Sequence, residues 1–243
     1  MFNTGDLIET KSITDYYGLY LLEDATESLG SKFIAGKVAG KYLGTLGDLG
    51  VFSFNENKII TTGGGGMVVS DNLNHLNRIR YFSTQAKDDS FTFQHNHIWF
   101  YYRMTNIQAT MELAQLEKLE EFISIKRKNY ELYESFFEDA DGMKMSDFND
   151  DLRPNYWFYS LLTKKDKIED LISLVYKPEE NNISVRPIWK LSHDQKSYEQ
   201  FFSMPMSVSN YYYHKILNLP CSSNLTKEDF KCVYKAILEC SHG

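Results

Sequence analysis

The sequence predicts an α/β chain, in which a first lobe carrying a mainly parallel sheet is followed by a mixed α+β lobe. Three observations lead there. The apolar run Tyr20-Leu21-Leu22 passes directly into Glu23-Asp24, the pattern of a buried parallel strand with an acid at its carboxyl end. Two more apolar runs, Val51-Phe52-Ser53-Phe54 and Met67-Val68-Val69-Ser70, are separated by glycine-rich turns and followed by a helical pattern over 73–82. A long helical pattern then leads into a region where strand and helix signals alternate.

The elements follow in order. After the turn signal Tyr17-Gly18 comes the strand ending at Asp24, and the glycines between 30 and 50 predict short hairpins and turns. The second strand, 51–54, is followed by the polar turn Asn55-Glu56-Asn57-Lys58, the pair Ile59-Ile60 and four glycines, Gly63 to Gly66, that open the third strand. Asp71-Asn72 ends that strand and starts the helix over 73–82. An aromatic, histidine-containing loop over 91–102 precedes Thr105-Asn106-Ile107-Gln108, which fits a capping box: the threonine side chain covers free backbone N–H groups and the glutamine reaches back. Ala109, Leu113, Leu116, Leu119 and Ile123 recur at helical steps, and the helix is expected to run to about residue 137. The Asp- and Gly-rich stretch 139–151 reads as a linker or exposed turn. Beyond it, strands over 157–162 and 183–186 and helices over 168–176 and 227–240, the last with Thr226 as its N-cap, make up the second lobe.

Composition narrows the classes. With 243 residues the chain can bury a sizeable core without disulfide or metal staples, and 42% hydrophobic against 24% charged residues is ordinary for a globular protein. A net charge of -7 argues against a nucleic-acid binder, which needs a basic face. No apolar stretch approaches the ~18 residues of a membrane span, and the N-terminus lacks the basic start and apolar run of a signal peptide, so a cytoplasmic protein is expected. Cys221, Cys232 and Cys240 lack metal-site spacing and read as free thiols.

Several residues could carry chemistry. Asp24 closes a buried strand at the end where open α/β sheets place their ligands, although strand-end aspartates also cap turns. Lys58 sits in a short loop between apolar segments, where a partly dry amine can act as a nucleophile, or where an ordinary lysine is solvated. The glycines at 63–66 allow backbone to approach a ligand or simply make a flexible turn; no Gly-Lys-Ser/Thr follows, so they form no P-loop. His95 and His97 alternate on an extended loop and read as solvated or substrate-side residues, with no carboxylate in sight to complete a metal site. Arg186 has a guanidinium fork suited to a carboxylate or a diphosphate, and equally to a surface ion pair.

In combination the motifs are more specific. Glu23-Asp24-Ala25-Thr26-Glu27-Ser28-Leu29-Gly30, Gly47-Asp48-Leu49-Gly50-Val51-Phe52-Ser53-Phe54 and Asn57-Lys58-Ile59-Ile60-Thr61-Thr62 with its four glycines closely resemble the pyridoxal-phosphate (PLP) sugar aminotransferases of the DegT/DnrJ group. Tyr102-Arg103-Met104-Thr105-Asn106-Ile107-Gln108-Ala109, Arg186-Pro187-Ile188-Trp189 and Leu219-Pro220-Cys221 extend the resemblance from about Gly18 to near the end. It implies PLP-transferase fold type I, aspartate-aminotransferase-like, with residues 1–118 as the carboxyl-side part of the PLP-binding large domain and 119–243 as the small domain. It also implies roles. Lys58 would join the cofactor and later carry a proton, Asp24 would keep the pyridine nitrogen protonated, Ser53 would bond the phosphate, Glu27 would stand beside the ring and Arg186 would bind substrate. The implied reaction moves an amino group from a donor such as glutamate to a nucleotide-linked 4-keto-6-deoxy sugar. The motifs look most like the branch acting on UDP-linked N-acetylhexosamines for bacillosamine- or legionaminic-type sugars of cell-surface glycans, and a homodimer is expected because that family's site is shared between subunits.

The sequence also departs from this pattern. The strands and the Gly-Thr phosphate turn that the family carries upstream are missing, so the chain reads as N-terminally truncated. Trp99 and Tyr101 stand where the family usually has Gly and the Asn that reaches the neighbouring subunit's phosphate. The alternative expectation is therefore a non-catalytic remnant that binds a nucleotide sugar, or one that pairs with an intact paralogue or a partner chain supplying the missing loop.

Overall fold

The computed structural model describes residues 4–89, 91–165, 168–180 and 182–241. Helix α1 (Leu7–Tyr16) starts under Asp6, whose carboxylate accepts the Glu9 N–H at 2.8 Å. The sequence pattern announces no element there, and none of the helix's residues is buried, so it carries little of the apolar periodicity that marks a packed helix. Strands β1 (Leu22–Asp24), β2 (Lys32–Phe33), β3 (Leu49–Ser53) and β4 (Gly66–Val69) follow.

β1, β3 and β4 form one sheet in that order. β1 and β3 run parallel with Leu22 opposite Leu49 and Asp24 opposite Val51. The segment from Ala25 to Asp48 supplies the long connection that parallel neighbours need, whereas the shorter loop after β3 brings β4 back antiparallel, Ser53 opposite Gly66.

Helices α2 (Leu73–Ser83), α3 (Asn106–Leu116) and α4 (Leu119–Phe137) come next. Asn72 caps α2, and Thr105 and Gln108 close the expected capping box at α3. The single helix expected to about residue 137 is divided. At the break the Lys118 N–H bonds the Gln115 carbonyl three residues back instead of continuing the four-residue ladder. The apolar positions do not share one face after all: Leu119 and Ile123 on α4 are buried, but Leu113 and Leu116 on α3 are exposed and the buried side chain of α3 is Glu112.

Strands β5 (Met143–Met145), β6 (Leu152–Arg153) and β7 (Tyr159–Thr163), helix α5 (Ile168–Glu180), strand β8 (Arg186–Pro187), helix α6 (Ser207–Tyr213), strand β9 (Ile216–Leu219) and helix α7 (Lys227–Ser241) complete the chain. The expected linker at 139–151 instead carries β5, with Met143 and Met145 buried, because Gly142 takes a positive φ of 78° and turns the chain back after α4. The strand expected over 183–186 is reduced to Arg186–Pro187 at the edge of a sheet ordered β5-β7-β9-β8, all antiparallel. Proline lacks the N–H of a ladder donor and suits an edge.

The chain divides into two compact units, Met1–Ile123 with Phe148–Trp157, and Ser124–Asp147 with Phe158–Gly243. In the first, Ala25, Phe52, Phe54, Ile60, Leu119 and Ile123 form the core behind the sheet, and a smaller cluster of Phe33, Leu43 and Leu152 packs where β2 pairs with β6. The second unit is centred on Tyr133, whose ring lies 4.5 Å edge-to-face from Phe230 and 5.6 Å from Tyr159. Both buried tyrosines place their hydroxyls, Tyr133 on the Pro220 carbonyl at 3.1 Å and Tyr159 on that of Lys126 at 2.9 Å.

Candidate active site

Glu23 and Asp24 are adjacent on β1, so they point to opposite faces. Glu23 is buried, and its carboxylate accepts the backbone N–H groups of Gly44, Leu46 and Gly47. The carboxylate thus holds the returning 43–47 loop under the strand. Asp24 faces outward, with one oxygen taking the Thr26 N–H at 3.2 Å. That contact starts the turn beyond β1, and Ser28 N–H to the Ala25 carbonyl at 3.0 Å tightens it. The turn carries Glu27 back beside the strand end.

Lys58 belongs to the loop after β3. Its N–H bonds the Asn55 carbonyl at 3.1 Å, and the loop is closed by Thr62 N–H to Phe54 O. Gln115 of α3 grips the same loop from both sides, accepting the Thr61 N–H at 3.0 Å and donating to the Thr61 carbonyl. The Lys58 side chain is only 13% exposed and ends 4.0 Å from a Glu27 oxygen. Its Nζ also lies 4.1 Å from the centroid of the Trp157 ring, a cation–π distance, and the Trp157 indole N–H bonds the Asn57 carbonyl at 2.5 Å. Burial pushes the Glu27 carboxyl above the usual range; Lys58 pulls it down, and Asp24 adds to the rise. Burial therefore outweighs the ion pair at this separation.

Asp24, Glu27, Asn155 and Trp157 line a cavity of about 560 Å³ at the carboxyl end of β1, with Leu43 and Gly44 on its wall. Lys58 is not among its lining residues and meets it through Glu27 and Trp157, which are. Asn155 fixes the far wall by donating to the Glu27 and Leu29 carbonyls, each at 3.0 Å. Ser53, at the end of β3, takes the Asn55 N–H on its hydroxyl oxygen at 3.3 Å and does not line the cavity. Arg186 lies in the second unit, where it pairs with Glu179 at 3.0 Å. His95 meets the Gln85 carbonyl at 2.6 Å and His97 meets the Tyr81 hydroxyl at 3.1 Å. Among the described residues no group of three His, Cys, Asp or Glu could hold a metal ion.

Two residues of this site, Asn155 and Trp157, are not singled out by the sequence. They come from the segment before β7, about a hundred residues from Lys58, and the available signal was only a tryptophan at the start of a strand pattern. Glu112 was also unforeseen. It sits on α3 between Gln108 and Gln115, is 4% exposed, and among the described residues neither of its oxygens has a hydrogen-bond partner. Burial pushes its carboxyl up to about 7.

The donor set suits the ring of the expected PLP. Among the described residues the Lys58 amine has no hydrogen-bonding acceptor; it lies 4.0 Å from Glu27, which with the strand-end Asp24 lines a cavity in the size range of small-molecule sites.

Residues 3–238 match the family described as DegT/DnrJ/EryC1/StrS aminotransferases. EpsN of Bacillus subtilis (strain 168) is 34% identical over 238 residues, covering 96% of this chain and 60% of the relative. GDP-perosamine synthase of Escherichia coli O157:H7 is 32% identical over 242 residues, covering 96% of this chain and 62% of that protein. The aminotransferase TlmJ from Streptoalloteichus hindustanus superposes with a TM-score of 0.87 at 21% identity, over 98% of this chain and 63% of its own. Helicobacter pylori PseC, an aminotransferase involved in the biosynthesis of pseudoaminic acid, superposes with a TM-score of 0.86 at 21% identity, with the same coverage. The chain thus spans about 60% of the length of the curated relatives it matches, and its fold is that of the PLP-dependent sugar aminotransferases. With its β1 acid and loop lysine set in that fold, and a match that runs nearly end to end, the chain belongs to the DegT/DnrJ/EryC1/StrS aminotransferase family.

Proposed function

We propose that this chain is the carboxyl-side part of an aminotransferase that moves an amino group from a donor such as glutamate to a nucleotide-linked 4-keto-6-deoxy sugar, in the making of cell-surface glycans. The family is PLP-dependent. The observation that carries the reading is the placement of Lys58, with its amine held between Glu27 and the Trp157 ring beside the cavity that Asp24 lines. When bound, the cofactor supplies an electron sink for breaking a bond at the amino-bearing carbon.

The chain's residues do the rest. Asp24 would hold a proton on the pyridine nitrogen, since a carboxylate stabilises a neighbouring charged ring. Lys58 would carry the proton between donor or sugar carbon and cofactor, with an amine that among the described residues has no competing hydrogen bond. Glu27, its carboxyl raised by burial, would stand beside the ring. Ser53 gives the phosphate one hydroxyl. Residues 1–118 act as the carboxyl-side part of the cofactor domain and 119–243 as the small domain, with Arg186 as the contact for the sugar diphosphate or donor carboxylate. Names among the relatives favour a sugar nucleotide: three are GDP-perosamine synthases, and a Campylobacter jejuni relative is a UDP-4-amino-4,6-dideoxy-N-acetyl-beta-L-altrosamine transaminase, 23% identical. The UDP-N-acetylhexosamine branch is our choice between them. The working form is a homodimer, or a pair with a chain that supplies the phosphate turn, acting in the cytoplasm.

The test is to add PLP to the purified chain and record the visible spectrum before and after borohydride reduction, in wild type and Lys58→Ala. A visible band that depends on Lys58 and is fixed by reduction is expected. No band, or one that Lys58→Ala leaves unchanged, overturns cofactor binding at this site and favours the remnant.

A further inference from the structure

One side chain in the first unit makes two contacts to the lysine loop, and the proposed function assigns it no role of its own. Trp157 donates its indole N–H to the carbonyl of Asn57 at 2.5 Å and presents its ring face to the amine of the next residue, Lys58, at 4.1 Å. The first contact fixes the loop backbone; the second fixes the end of the side chain that leaves it. Among the described residues, the charged group paired with the amine is Glu27 at 4.0 Å, too far for a hydrogen bond. Among the described residues, then, the direction of the lysine is set chiefly by the ring.

Trp157 is itself held on both sides. Its backbone N–H bonds the Asn155 side-chain oxygen at 3.1 Å, and the Asn155 amide is anchored on the Glu27 and Leu29 carbonyls. Arg153, two residues earlier, reaches the Gly30 carbonyl and pairs with Glu120. The segment 153–157 is therefore pinned to the turn that carries Glu27, and through the indole to the loop that carries Lys58. One short segment sets the separation between the two charged groups.

We propose that Trp157 is a positioning residue for Lys58, holding the amine at one place and shielding one of its faces. Its meaning for catalysis rests on the reading of Lys58 as the cofactor lysine, since a lysine that carries a proton between two atoms must return each time to the same resting place. The geometry can be tested without that reading.

The purified chain is treated with trinitrobenzenesulfonate, and the labelling rate of Lys58 is measured by peptide mass spectrometry relative to the remaining lysines. Wild type is compared with Trp157→Phe, which keeps a ring face, and Trp157→Leu, which does not. Lys58 in Trp157→Leu is expected to label roughly three- to tenfold faster than in wild type, the range of a lost cation–π contact, while Trp157→Phe stays within about twofold. Equal rates in wild type and Trp157→Leu, or a Phe variant as fast as the Leu variant, overturn the role of the ring. A second readout covers a Leu variant that fails to fold. In a chain carrying Trp99→Phe and Trp189→Phe, Lys58→Met is expected to shift the emission of the remaining Trp157, and unchanged emission overturns the proposal. Both readouts are independent of PLP, so their failure is distinguishable from failure of the borohydride test.

Discussion

Glu112 shows how a single carboxyl can set the pH dependence of the molecule. Its folded value of about 7 lies above the ordinary 4.5, so the folded chain holds its proton in a range where the unfolded chain has lost it. Stability therefore falls as pH rises from about 4.5 to about 7, and above that the full penalty is present. Glu112→Gln removes the charge, and in urea titrations it should be more stable than wild type at pH 8 by on the order of 2–3 kcal/mol, with the difference largely gone at pH 4.5. An equal gap at both pH values would place the effect in packing rather than in the proton. Glu23 matters through its hydrogen bonds. Three backbone N–H groups depend on its buried carboxylate, so Glu23→Ala should cost about 3 kcal/mol or more by the same titration, since each orphaned donor adds a desolvation penalty.

At the scale of elements, the close meeting of β3 with the 43–47 loop is the tightest constraint. A Cβ on Gly50 would lie 1.9 Å from the Gly44 carbonyl oxygen. Backbone on both sides leaves no flexible end to yield, so Gly50→Ala should leave the chain insoluble or without the cooperative melt of wild type by circular dichroism, whereas Gly64→Ala, with nothing within 4 Å, should melt as wild type does. Strands with concentrated apolar runs, such as Val51 to Phe54, were legible in the sequence, as was the α3 start, because a threonine and a glutamine three residues apart have few other uses. The break between α3 and α4 was not legible. Apolar spacing continues through it, and what interrupts the helix is a tightened turn at Lys118 next to a glutamine committed to Thr61. Asp24, Lys58 and Glu27 could be named from their motifs, and the structure places Lys58 4.0 Å from Glu27 and puts Asp24 and Glu27 on one cavity wall. Asn155 and Trp157 could not be named, since no local pattern tells a residue near 156 that it faces residue 58.

Across the whole molecule, each unit shows apolar surface to solvent. In the first, Phe91 is 93% exposed and Ile98 84%; in the second, Phe202 is 89% exposed. Patches of this kind mark surfaces that other chains cover, so sedimentation velocity at micromolar concentration should give a mass above the 28.3 kDa of a single chain, and a species at that mass would count against the dimer. Among the described residues no helix is long and apolar enough to cross a membrane, so a bilayer-spanning helix does not account for these side chains. The division of the chain adds a consequence in time. The first unit is made of Met1–Ile123 and Phe148–Trp157, with a stretch of the second unit between them. At about 5–20 residues per second, synthesis of the 34 residues from Ile123 to Trp157 takes about 2–7 s. Throughout that interval the lysine loop exists on the ribosome without its tryptophan, and Glu27 without the asparagine that holds its turn. The earlier part of this unit thus waits for its later part before it can close, and a chaperone or a passing small molecule meets the Lys58 amine uncovered before the folded protein shields it.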